Sequence, residues 1–186
     1  MRSYSFHFSF DHIPMVMTRK RHTMLVLVNQ KGQYVLGKKN AYPEGISRFV
    51  GGGIDEGEDA AVGAARELQE ELGVVVDPTV LIPLAHLTNT VSLPNKPDTI
   101  FETFLYGYVL HDEKLNPADD LDGVAYVNSE EMEQLIARFE SLPNDVINPR
   151  TGDAPFRWSD YGNFAAKVHR IGVDEMCEWW KEKNGT

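Results

Sequence analysis

Glu67, Glu70 and Glu71 stand at i, i+3 and i+4 in the stretch RELQEELG, with no lysine among them. If the stretch is helical, the three carboxylates share one face, where each like-charged pair costs roughly 0.2–0.5 kcal/mol. They would also fall in the last turns of the helix, where its dipole favours cations. Arg66 can offset part of the repulsion through Glu70, four residues on, but one guanidinium does not balance three carboxylates. A bound hard cation would. Mg²⁺ takes oxygen ligands, keeps several waters and commonly links carboxylates to substrate phosphates. A solvated acidic face is the plainer reading, and for RELQEE taken alone it is the better one.

The residues just upstream shift that balance. Between Gly51 and Val74 the chain packs seven acidic side chains and six glycines. Gly51, Gly52 and Gly53 let a backbone turn tightly and approach a ligand or metal. A Gly-rich loop that feeds a helix also presents backbone N–H groups to anions. Asp59 is suited to cap a helix running from about Ala60 to Leu72, and Gly73 to end it. At helical spacing Ala61, Ala64, Ala65, Leu68 and Leu72 gather on one side, and the small residues let the helix lie close on a sheet. Glu58, eight residues before Arg66, could tie the loop to the helix by an ion pair. Arg48 could reach a phosphate or lie on the surface; both readings stand.

These groups need a scaffold. TMLVLV (Thr23–Val28), NQKGQ and YVLGKK (Tyr34–Lys39) spell a strand, a turn and a strand. NAYPEGIS (Asn40–Ser47) is a loop. Thr79–Thr88 and Thr99–Leu110 read as strands, separated by a proline-bearing loop over Asn89–Asp98. Gly123–Asn128 is a further short strand. Asn128 then caps a helix to Leu142, with Glu131 completing a capping box and Met132, Leu135, Ile136 and Phe139 on its apolar face. Pro143–Gly162 is loop-rich, its aromatics better suited to core packing than to stacking a base. VDEMCEWWKEKNGT reads as a last helix burying Val173, Met176, Cys177 and Trp180. Strands on both sides of a central helix imply an α/β or α+β domain with a mixed sheet.

Composition narrows the class. With 18 basic and 28 acidic residues in 186, the formal charge is −10, which argues against a nucleic-acid polymer as partner. A small phosphate ligand stays open, because a divalent cation reverses the local sign. The single cysteine, Cys177, allows no internal disulfide and no Cys-rich zinc site. The first residues lack the apolar block of a secretion signal, and no run is long enough to span a bilayer, so a cytoplasmic protein with no membrane partner is expected. Six scattered histidines without an HExxH pair speak against zinc chemistry.

The segment Gly52–Val74 resembles the box of the Nudix hydrolases, which reads G, five residues, E, seven residues, R-E-U-x-E-E-x-G-U, with U aliphatic. Gly52, Glu58, Arg66, Glu67, Leu68, Glu70, Glu71, Gly73 and Val74 satisfy each fixed position. The resemblance implies an α/β fold, an α/β/α sandwich around a mixed β-sheet with the box as loop–helix–loop. One domain over residues 1–186 is expected, with its core at about 20–142 and a carboxy-terminal helical extension at about 143–186. It also implies Mg²⁺- or Mn²⁺-dependent hydrolysis of a nucleoside diphosphate linked to another moiety. Carried over by position, Glu70 and Glu71 are principal metal ligands, and Glu67 ligates metal or orients the attacking water. The carbonyl of Gly51 is a further ligand, and Arg66 holds the carboxylates. From the residues themselves, Gly52, Gly53 and, in the first of its two readings, Arg48 are the candidates to contact substrate. The family's further carboxylate on a later loop falls on Asp120, six residues before Tyr126, with Asp119 and Asp122 as rivals and a plain acidic turn as the alternative.

Two other functions share this fold. A nucleotide-binding or regulatory module would lack hydrolysis, and such proteins tend to erode the box, which here is complete. Isopentenyl diphosphate isomerase chemistry needs an active-site cysteine, and Cys177 lies far from the box in sequence. The position where ADP-ribose enzymes of the family often carry proline is Thr90, and the tyrosine common in dinucleoside polyphosphate enzymes is missing. Substrate identity is thus open, with the base expected against Asn89–Asp98 and the hairpin. Trp179 and Trp180 point to different sides of their helix, which is either a subunit contact in a homodimer or a partly exposed aromatic.

Overall fold

Apolar residues two apart line one face of a strand, and β2 (Arg21–Asn29) uses both faces. Met24, Val26 and Val28 enter one buried cluster, whereas Leu25 and Leu27 enter another. A strand buried on both sides belongs at the centre of a sheet covered by helices. The computed structural model describes residues 1–12, 19–119, 121–147 and 155–185, and it places β2 in that position. The six-stranded sheet runs β1-β4-β5-β2-β3-β6, with β1 at Arg2–Ser9, β3 at Tyr34–Lys38, β4 at Ile82–Ser92, β5 at Thr99–Leu110 and β6 at Gly123–Val127. Pairs β1–β4 and β2–β5 are parallel; the other three are antiparallel.

Helix α1 (Ala60–Leu72) packs on one face through Ala64, Ala65, Leu68 and Leu72. Helices α2 (Ser129–Glu140) and α3 (Trp158–Asn184) share the other cluster, giving the expected α/β/α arrangement. A small hairpin, β7 (Val146–Ile147) with β8 (Phe156–Arg157), precedes α3. Both sequence-predicted caps are in place. The Asp59 carboxylate accepts from the backbone of Ala61 at 2.8 Å, and Asn128 forms a capping box with Glu131; each is worth about 1 kcal/mol. Gly73 ends α1 in the left-handed conformation, φ 72°.

Several boundaries differ from expectation. Pro78–Val80 forms a 3₁₀ turn, and the strand expected from Thr79 begins at Ile82 and continues to Ser92. Asn89, expected in a loop, is fully buried within it, because β4 is held on both sides by β1 and β5. The alternating residues at the start of the chain form the edge strand β1. The end of the stretch read as loop-rich, from Trp158 to Gly162, is helical, since α3 starts at Trp158; Phe156 and Tyr161 are core residues, as expected of its aromatics. In the last helix Val173 and Met176 are buried, but Cys177 and Trp180 are exposed. The buried stripe of the helix runs through Val168, Ile171 and Met176, which leaves those two on the outer side. Among the described residues no helix is long and apolar enough to cross a membrane.

Candidate active site

Strands β2 and β3 pair only at Leu27↔Val35 and Val28↔Tyr34. Beyond that point the segment Arg48–Gly53 fills the gap between them, bridging Gly37↔Arg48, Leu25↔Val50 and His22↔Gly53. The glycine loop is therefore not a mobile excursion but a surrogate strand, hydrogen-bonded on both sides. Gly51 adopts φ 140°, and a Cβ there would lie 2.2 Å from the Thr23 carbonyl oxygen, so no other residue fits. Gly52 is constrained differently. A Cβ there would come within 2.5 and 2.6 Å of the two Glu67 carboxylate oxygens.

Arg66 is the hub. Its Nε and Nη2 donate to the two oxygens of Glu58 at 3.0 and 3.1 Å, the planar fork that a guanidinium makes with a carboxylate. Nη2 also donates to the Gly53 carbonyl at 2.8 Å. Nη1 donates to Glu67 Oε1 and to Glu70 Oε2, each at 2.9 Å. The Arg66 guanidinium holds the Glu58 carboxyl below its usual range. Burial instead pushes Glu67 up, against the opposing bond from Arg66. A carboxylate raised in this way is a stronger base than an exposed one.

Glu71 faces the sheet and is 2% exposed. Its Oε2 accepts the Gly51 N–H at 2.8 Å. Two cations lie near its other oxygen, Lys39 Nζ at 3.8 Å and Arg48 Nη2 at 3.7 Å. Arg48 is thus a buried residue beside the box and not a surface one. Lys39 was not singled out by sequence reasoning; its place at the end of β3, beside the loop that returns to Arg48, was the available signal. The carbonyls of Val50, Gly52 and Gly53 accept from Leu25, Thr23 and Arg66. That of Gly51 accepts no hydrogen bond among the described residues.

The structure brings Gly51, Gly52, Gly53, Arg48, Arg66, Glu67, Glu70 and Glu71 into one region. It does not gather the carboxylates into a closed cluster: among the described residues no three His, Cys, Asp or Glu side chains are set to hold an ion. Arg66 sits between Glu67 and Glu70, and Glu71 turns toward Lys39 and Arg48. Asp120 lies outside the described residues. Of its rivals, Asp119 has φ 55°, and Asp122 accepts the Asn40 N–H.

The fold and site define a class by shape: an α/β/α sandwich in which a glycine segment, locked into a mixed sheet, lies against a glutamate-bearing helix. A family model described as NUDIX domain matches residues 18–147, and the chain belongs to the Nudix family. No curated protein matches it significantly in sequence. Solved structures that it resembles include a C. elegans Ap4A hydrolase binary complex, 16% identical with TM-score 0.51, covering 85% of this chain and 98% of that one. The E. coli dihydroneopterin triphosphate pyrophosphohydrolase is 17% identical with TM-score 0.50, covering 64% and 85%. A MutT/nudix family protein from Enterococcus faecalis is 21% identical with TM-score 0.47, covering 61% of this chain and 45% of that one. The chain thus spans less than half the length of the Enterococcus protein. At these identities the likeness is one of fold.

Proposed function

We propose that this protein is a pyrophosphohydrolase that cleaves a nucleoside diphosphate linked to another moiety, with Mg²⁺ or Mn²⁺ held by Glu67, Glu70, Glu71 and the Gly51 carbonyl. The observation that carries the reading is the pair of buried carboxylates, Glu67 and Glu71, against a glycine backbone whose Gly51 carbonyl has no donor among the described residues. Three carboxylates and a carbonyl are the oxygen donor set that hard cations prefer. Glu70 is half exposed and leaves its Arg66 bond at small cost. When bound, such a cation neutralises pyrophosphate and acidifies a coordinated water.

The chain's own residues supply the remainder. Glu67, raised by burial, orients the attacking water and takes its proton. Arg66 holds Glu67 and Glu70 and ties them through Glu58 and Gly53 to the loop. Arg48, with Lys39 beside it, faces the substrate phosphates, and the Gly52–Gly53 backbone leaves room for them. Asp120 is assigned as the further carboxylate. Incubating the protein with Mg²⁺ and nucleoside diphosphate derivatives should release a monophosphate. Glu70→Gln and Glu71→Gln should each lower kcat by about 10²-fold or more while the fold persists. Full activity in both variants would overturn the assignment, and binding without turnover across the panel would favour a nucleotide-binding module.

A further inference from the structure

Phe49 lies in the middle of the surrogate strand, between Arg48 and the Val50–Gly51 peptide. Arg48 exchanges both backbone bonds with Gly37, and the Val50 carbonyl accepts from Leu25. The Phe49 N–H finds no acceptor in the sheet. It donates instead to His169 Nε2 of α3, at 3.0 Å. The imidazole's other nitrogen, Nδ1, is 2.7 Å from the Ala165 carbonyl oxygen. A carbonyl only accepts, so Nδ1 carries the proton and Nε2 is left as the acceptor.

Packing reinforces the link. The His169 ring stacks on Phe49 at 4.1 Å and 16°, with Phe139 at 4.7 Å on the α2 side. Three residues further along α3, a Cβ on Gly172 would lie 2.7 Å from the Phe49 ring. The helix is therefore notched at one position and hydrogen-bonds at the other to receive the same residue. Burial lowers the imidazole pKa to about 4, so the ring is neutral and able to accept at physiological pH.

We propose that His169 is a positioning residue for hydrolysis: by accepting the Phe49 N–H, it sets the Arg48–Gly51 backbone, and with it the Gly51 carbonyl and the Arg48 side chain. The inference rests on the pyrophosphohydrolase reading above. It goes beyond the family match, which ends at residue 147, whereas α3 begins at Trp158. A helix outside the matched region thus tunes the loop inside it.

His169→Phe keeps an aromatic ring in the stack and removes the acceptor, and His169→Gln restores an acceptor near the Nε2 position. In the metal-free phenylalanine variant, amide exchange at Phe49 should quicken about tenfold or more. Mn²⁺ should bind several-fold more weakly, and kcat should fall about tenfold with KM changed less than about threefold. His169→Gln should recover most of each loss. Met176→Ala, in the α3 core against Gly107, should lower Tm yet leave kcat and Mn²⁺ affinity unchanged. Wild-type kcat and Mn²⁺ affinity in His169→Phe would overturn the proposal, as would no recovery by glutamine or an equal loss of kcat in Met176→Ala. If the phenylalanine variant does not fold, Gly172→Ala, which displaces the Phe49 ring from the same side, should reproduce the weaker Mn²⁺ binding, and unchanged binding there would overturn the proposal. If the wild-type protein hydrolyses nothing, the catalytic reading fails separately, and amide exchange and Mn²⁺ affinity still decide the role of His169.

Discussion

Replacing Gly52 by alanine separates the integrity of the site from that of the fold. Gly52 has no positive φ, so its backbone accepts an L side chain. What opposes the change is the Glu67 carboxylate, whose Cδ and oxygens would lie 2.5–2.7 Å from the new methyl. Ordinary carbon contacts need roughly 3.5 Å, so the carboxylate must retreat by about 1 Å. That retreat breaks its 2.9 Å bond from Arg66, a charged hydrogen bond worth about 1.5–3 kcal/mol. The stiffer unfolded chain returns about 0.4–1 kcal/mol. The net destabilisation is about 1–2 kcal/mol, or a Tm lower by about 2–8 °C for a chain of this size. Activity should suffer far more. If Glu67 orients the nucleophile as proposed, a displacement of about 1 Å costs about 10²-fold in kcat/KM, equivalent to about 2.7 kcal/mol of barrier. Monophosphate release under Mg²⁺ and a thermal melt on the same preparation measure the two effects. Wild-type kcat/KM would refute the role given to Glu67. Global unfolding would refute the structural argument, because the methyl meets the tip of a flexible side chain and not, as at Gly51, a backbone oxygen.

Arg66→Met should lower unfolding free energy by about 3 kcal/mol in urea titrations, since it leaves Glu58 and buried Glu67 without their counter-charge. Arg66→Lys should recover only part, because an ammonium cannot make the planar fork; a loss below about 1 kcal/mol in the methionine variant would place these pairs with ordinary surface ion pairs. Acid should destabilise the protein through His169. Its pKa falls from 6.5 to about 4 on folding, because burial disfavours the charged ring and Arg48 adds to the effect. Between those values the unfolded chain holds a proton that the native chain does not, so this contribution is complete above about pH 6.5 and is lost as pH falls to about 4. It amounts to about 3 kcal/mol. The comparison of wild type with His169→Gln isolates it from Glu67, whose raised pKa acts in the opposite direction, and superimposable pH profiles would exclude the buried histidine as the cause.

Much was legible because it depends on near neighbours in the chain. The α1 limits followed from Asp59, Gly73 and the apolar spacing between them, and those of α2 from the Asn128–Glu131 capping box; such signals act within one turn of helix. The box pattern identified the family, and the Arg66–Glu58 pair could be proposed from spacing alone. By contrast, the 3₁₀ turn at Pro78–Val80, the burial of Asn89 and the exposure of Cys177 and Trp180 depend on which strand or helix lies opposite.

The sequence by itself determined that glutamates crowd one helical face behind a glycine loop, because helical periodicity and glycine's lack of a Cβ are local properties of the chain. Only the tertiary structure decided where each carboxylate turns. Glu67 turns to Gly52 and Arg66, and Glu71 to Gly51, Lys39 and Arg48. It also decided that Phe49 is held by His169, 120 residues away in the chain. No local pattern encodes such a contact, since it forms only when sheet and helix bury their apolar faces together and a backbone N–H left without a sheet partner must find an acceptor.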